Sequence, residues 1–375
     1  MRLFGLALIV AAGGAAAEPF ATKEELGEAL FFDVNLSANR SMACATCHDP
    51  ASGFADPRPT ALGKAVSLGD DGHSLGDRNA PTASYAAFSP PFGQDKDGIW
   101  TGGQFLDGRE PNLAGQAGGP PLNPIEMGMP SKEAVVERLA ENPDYLVALE
   151  ALFGVSTSDA DAAYLAMTEA ISAYESTEEF APFDSKYDRY LRGEVALTDE
   201  EELGRTLFFS EQFTNCSLCH LKGTSALDPQ ETFSNYQYHN IGVPVNVAVR
   251  AGNGSAPDLI DHGLLANPLV DDPAMDGRFK VPTLRNVAVT GPYMHNGVFE
   301  DLRTVILFYN KYNSVDPTRQ INPETDALWA DPEVAGTLST VELEHGPALN
   351  DQRVDALVAF LKTLTDARYE PLLED

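Results

Sequence analysis

Apolar positions spaced three and four apart recur in two nearly identical places. EELGEALFF at residues 24 to 32 and EELGRTLFF at residues 201 to 209 share seven of nine residues, with Leu and Phe on one face of a helix. Thr22 and Thr198 each stand three residues ahead of a glutamate, Glu25 and Glu201, which predicts a capping box at both starts. The same spacing predicts helices over Ala163 to Tyr174 and Val354 to Leu364, and over 301 to 312 with Leu302, Val305, Ile306 and Tyr309 on one face. Between these helices Gly and Pro are dense, as in GPPLNP at 119 to 124, so long ordered loops are expected there, with short strands around Phe233 to Val245. The expectation is a mainly α protein of two similar helical domains, 18–191 and 192–375, joined near Arg192 to Thr198.

The N-terminus has a different pattern. Arg2, an apolar run from Leu3 to Ala12 and the small residues Ala15, Ala16 and Ala17 form a secretory signal, residues 1 to 17, with the mature chain starting near Glu18. No other stretch is apolar for long enough to suggest a span. Export and solubility follow as expectations. The formal charge of −31 argues against nucleic acid and anionic membrane as partners, and leaves open a basic or mixed-charge protein.

All four cysteines lie in two copies of CxxCH, Cys44-Ala-Thr-Cys47-His48 and Cys216-Ser-Leu-Cys219-His220, each following one copy of the repeated helix. CxxCH is the attachment pattern of c-type haem; its other readings are a redox disulfide, a zinc site or chance. The repetition in an exported chain favours two covalent haems with His48 and His220 as proximal ligands, and hence two cytochrome c-like haem domains. The opposite iron faces decide between electron transfer and chemistry. Candidates there are His73, His239, His262, His295, His345, Met275 and Met294, any one of which is more often structural than ligating. The loop 102 to 127 also holds Arg109, Gln116 and Glu126 in a Gly/Pro-rich setting. Glu126, between Ile125 and Met127, suits proton transfer during peroxide cleavage, although an ordinary surface glutamate is the commoner reading of such a position.

The loop DGRxxxLxxQAxxPxxNPxEM, the run FKVPTLRNVAVTGPYMHNG at 279 to 297 and the two CxxCH motifs resemble the bacterial dihaem cytochrome c peroxidases. More closely, with APFDSKYDR (181 to 189) and YEPLLED (369 to 375), the chain resembles the MauG branch of that family. That branch completes the tryptophan tryptophylquinone cofactor of methylamine dehydrogenase. The resemblance implies a periplasmic enzyme in which the first haem, on His48, faces an open peroxide pocket of Gln116, Pro120, Glu126 and Arg109. The second would be held by His220 and Tyr309, where the peroxidases have methionine. A hard phenolate oxygen favours higher iron oxidation states than a thioether does. The resemblance also implies that Asp71 replaces a resting-state histidine ligand, with His73 not taking over. A calcium ion would lie between the haems on carbonyls of Asn79, Thr290 and Pro292. The implied partners are hydrogen peroxide, the methylamine dehydrogenase precursor and an optional small electron-donor protein. Two positions depart from relatives: Leu106 and Thr214 stand where they carry tryptophan, with Trp100 a conceivable substitute. A peroxidase fed by small redox proteins, a plain electron carrier and an enzyme acting on another protein are the competing expectations.

Overall fold

The computed structural model describes residues 19–223, 227–256 and 258–373; the expected signal segment, 1 to 17, lies outside them. Helices account for nearly all regular structure: α1 (Lys23–Phe31), α2 (Cys44–Cys47), α3 (Leu113–Ala117), α4 (Lys132–Leu139), α5 (Pro143–Phe153), α6 (Ala160–Glu175), α7 (Lys186–Leu191), α8 (Asp199–Phe208), α9 (Cys216–Cys219), α10 (Val247–Gly252), α11 (Leu302–Asn310), α12 (Thr340–Leu343) and α13 (Asp351–Lys362). Strands are two-residue pairs: β1 (Gly93–Gln94) with β2 (Trp100–Thr101), β3 (Tyr238–His239) with β4 (Phe279–Lys280), and β5 (Ile321–Asn322) with β6 (Ala327–Leu328). The strand expected over 233 to 245 shrinks to β3.

The caps explain the helix starts. Thr198 accepts from the backbone N–H of Glu201 while the Glu201 carboxylate accepts from that of Thr198, a complete capping box. In the first copy Thr22 accepts from Glu25, but Glu25 reaches Ala21 instead. The glycine of each EELG sits where two helices meet. A Cβ on Gly27 would come within 1.9 Å of the Ala170 carbonyl oxygen on α6, and one on Gly204 within 1.9 Å of the Ala356 oxygen on α13. The sequence repeat is therefore a repeat of a helix crossing, α1 on α6 and α8 on α13.

Each crossing anchors its own core. Leu26, Leu30 and Phe31 pack with Val135, Leu149, Met167, Ile171 and Phe180, so α4 and α5, which the loop expectation did not include, complete the first cluster. The second contains Leu207, Phe208, Phe233, Ile306, Leu357 and Phe360, together with Tyr187 of α7. Arg285, 1% exposed, ties the same region down by pairing with Asp188 at 2.5 Å and donating to the Glu231 carbonyl oxygen. Among the described residues no helix is long and apolar enough to cross a membrane.

Candidate functional site: two cavities with a shared wall

Two large cavities lie beside the two CxxCH segments. The first has a volume of about 490 Å³ and is bordered by Cys44, Cys47, His48, Arg109, Gln116, Pro120 and Glu126. The second, about 380 Å³, is bordered by Cys216, Cys219, His220 and Tyr309. Asn79 to Thr82 and Gln104 to Leu106 border both. Both volumes suit a cofactor-sized occupant, whose typical pockets run from about 300 to 1,000 Å³.

The two histidines are presented alike. His48 and His220 each close the turn of a CxxC helix, their backbone N–H bonding to the carbonyl of the first cysteine at 2.9 and 2.8 Å. Each Nδ1 lies 3.1 Å from a phenylalanine carbonyl, Phe54 for His48 and Phe233 for His220. Both phenylalanines hold positive φ, +53° and +57°, which turns the carbonyl inward. A ring that donates through Nδ1–H keeps Nε2 as a lone-pair donor, the tautomer a metal ligand needs. Burial lowers the pKa of both, His220 to about 4, so the rings stay neutral. The four thiols are unpaired and half-buried, and burial pushes Cys47 and Cys219 up to about 12. They are inert as free nucleophiles and suited to a group brought to them.

Also bordering the first cavity is Glu126; burial raises its carboxyl above its ordinary value, and the Arg109 charge and an Asn123 amide hydrogen bond of 3.0 Å oppose the shift. Gln116 rides on α3, whose start is capped by the Asn112 side chain. Pro120 opens the next turn, accepting from Met127 at 3.2 Å through its carbonyl. Arg109 is clamped by both oxygens of Asp107 and lies 3.5 Å over the Phe105 ring. Asp71 and His73 border neither cavity; Asp71 caps the exposed turn carrying His73 and Ser74.

In the second cavity, Tyr309 comes from α11, and burial raises its phenol, so only a strong Lewis acid would draw off its proton. Asn79, Thr290 and Pro292 all border this cavity. His239, His295, His345 and Met294 border it too, His262 borders the first, and Met275 borders neither. Three polar groups were hidden from pattern reading or left unresolved by it. Glu175, 5% exposed with one oxygen unpartnered, faces the first cavity, and burial raises it to about 8. Lys280 faces the second and is lowered by burial to about 7. His239 has both ring nitrogens buried and unpartnered. The available sign for Glu175 was an acid one turn after Ile171 on an otherwise apolar helix face.

The family model described as di-haem cytochrome c peroxidase matches residues 21–196. A methylamine utilization protein MauG of Paracoccus denitrificans is 55% identical over 99% of this chain and 96% of its own. The chain belongs to the di-haem cytochrome c peroxidase family. It is a haem-dependent, peroxidase-like oxidoreductase, and the family holds two haem groups. The E. coli cytochrome c peroxidase Ccp is 29% identical over 95% of this chain and 60% of its own. Among solved structures, the diheme peroxidase BthA of Burkholderia thailandensis superposes with a TM-score of 0.81 at 35% identity, covering 95% of this chain and 88% of that one. The cavities fit two such groups: each carries two unpaired thiols, a neutral imidazole with its far nitrogen available, and volume enough for a flat ring.

Proposed function

We propose that the chain is a MauG-type enzyme that uses hydrogen peroxide to oxidise tryptophans of a methylamine dehydrogenase precursor, completing tryptophan tryptophylquinone. The observation that carries this is the pairing of His220 with Tyr309 around one cavity while Glu126, Gln116 and His48 surround the other. Two cytochrome c-like domains, 18–191 and 192–375, would each hold one haem c by thioethers, through Cys44 and Cys47 and through Cys216 and Cys219. Export to the periplasm, which the N-terminal signal pattern would direct, would suit that attachment. A calcium ion on the carbonyls of Asn79, Thr290 and Pro292 is consistent with oxygen ligation. Among the described residues, none of those three oxygens accepts a hydrogen bond.

When bound, the haems supply the redox chemistry, taking two oxidising equivalents from peroxide and giving them up to electrons from the partner. The chain's residues arrange the rest. His48 and His220, held through Nδ1, offer Nε2 to the irons. Glu126, ionised, takes a proton from one peroxide oxygen and returns it to the other, so the O–O bond breaks with water as leaving group; with two electrons and two further protons, peroxide ends as two waters. Gln116 and Asn123 orient the peroxide and the carboxylate, and Pro120 keeps the wall apolar. A folded partner cannot enter either cavity, so it docks outside and electrons travel to it.

Mixing the diferric protein with the precursor and peroxide should raise quinone absorbance. Peroxide consumption without quinone would remove the substrate assignment. Rapid turnover with a small cytochrome or cupredoxin in the same assay would favour the second reading, a peroxidase with small redox donors, which the E. coli likeness supports.

A further inference from the structure

The chain has two tryptophans, Trp100 and Trp329. Trp100 stacks on Phe92 at 5.0 Å with the rings 11° apart, and it borders neither cavity. Leu106 fills the shared wall, and Thr214, buried, gives its hydroxyl proton to the Leu207 carbonyl. No indole or phenol stands at either place.

Trp329 is different. Its ring lies 5.5 Å from Phe308 and 5.6 Å from Phe299, and Phe308 lies 6.1 Å from Tyr309, which borders the second cavity. One buried ring thus separates Trp329 from the residue next to the second centre. Trp329 is half-buried at the end of β6, beside Leu328, 70% exposed, and on the same loop surface as the fully exposed Val315. Gln320 joins that surface together, accepting from the Trp329 N–H and donating to the Ser314 carbonyl. The indole Nε1–H donates to the Arg319 carbonyl at 2.9 Å.

We propose that Trp329 is the point at which electrons from an aromatic side chain of the protein partner enter the chain. The proposal rests on the partner reading given above. Each transfer moves one electron inward from the Trp329 indole, past the Phe308 ring, to the centre beside Tyr309. A second single-electron transfer, from the partner to Trp329, restores the indole. Peroxide is the oxidant, and two such passages match its two electrons. Phe308 is harder to oxidise than an indole and serves as a medium, not as a carrier. A peptide carbonyl is too weak a base to take the Nε1 proton, so the oxidised indole is a cation radical that recovers without proton return.

The two tryptophans provide an internal control. Holoprotein treated with peroxide without a partner should gain oxygen at Trp329 and leave Trp100 unmodified on peptide mass mapping, and Phe308→Leu should reduce the gain. Equal modification of both tryptophans would overturn the proposal. With the precursor present, Trp329→Phe should slow quinone formation by about tenfold or more. Equal quinone rates in Trp329→Phe and wild type refute the route while leaving the substrate assignment intact. No quinone in wild type refutes the substrate assignment, and the mass map still decides the route.

Discussion

Glu126 and Glu175 are two carboxyls on one cavity with different tasks. Burial dominates both shifts, but Arg109 and Asn123 pull Glu126 back toward ionisation, whereas burial alone sets Glu175 at about 8. Glu126→Gln should slow the reaction with peroxide by roughly 10²- to 10⁴-fold in stopped-flow absorbance. The wild-type rate should rise with pH as Glu126 ionises, at a pH above the ordinary carboxylate range, and the variant should lack that rise. Glu175 makes a stability prediction. The folded protein holds its proton to about 8 while the unfolded chain releases it near 4.5, so stability falls as pH rises between those values. Glu175→Gln should flatten that dependence in urea titrations at pH 5 and pH 8. The CxxCH histidines were legible because their spacing is itself the chemistry. Glu175 and Lys280 were not, because a single polar residue on an apolar face declares itself only when the face is known to line a void.

The repeated helix was the most legible element, since periodicity, cap and glycine agree. Thr198→Ala removes one half of a reciprocal cap and should cost about 1 kcal/mol in denaturant unfolding. Gly204→Ala forces a methyl against the Ala356 carbonyl and should cost more than the cap, on the order of 1–3 kcal/mol or beyond, because backbone cannot yield as a side chain does. The helices α4 and α5 were missed, although Ser131 and Asn142 cap them, because the loop expectation drawn from the Gly and Pro of residues 102 to 130 was carried over residues 131 to 153, which hold only one proline and no glycine. The strands contracted because the aromatics from Phe233 to Tyr236 fill a cavity wall and core, and only Tyr238 and His239 enter a ladder, with β4. Phe233 and Tyr236, at positive φ, break any continuous strand there.

At the scale of the whole molecule, the repeat predicted two halves and the structure places a cavity beside each CxxCH motif. What no repeat could convey is the shared wall, formed by Asn79 to Thr82 and Gln104 to Leu106, two segments of the first half of the chain that border the cavity of the second CxxCH motif as well as that of the first. That wall lies between the two cavities, and Leu106 in it supplies bulk without an oxidisable ring. The central claim is an asymmetry, one centre open to peroxide beside Glu126 and the other closed by His220 and Tyr309. Electron paramagnetic resonance of the diferric protein tests it most directly: the account predicts one high-spin and one low-spin signal, with Tyr309→Phe altering only the low-spin one. Two low-spin signals in the wild-type protein would contradict it.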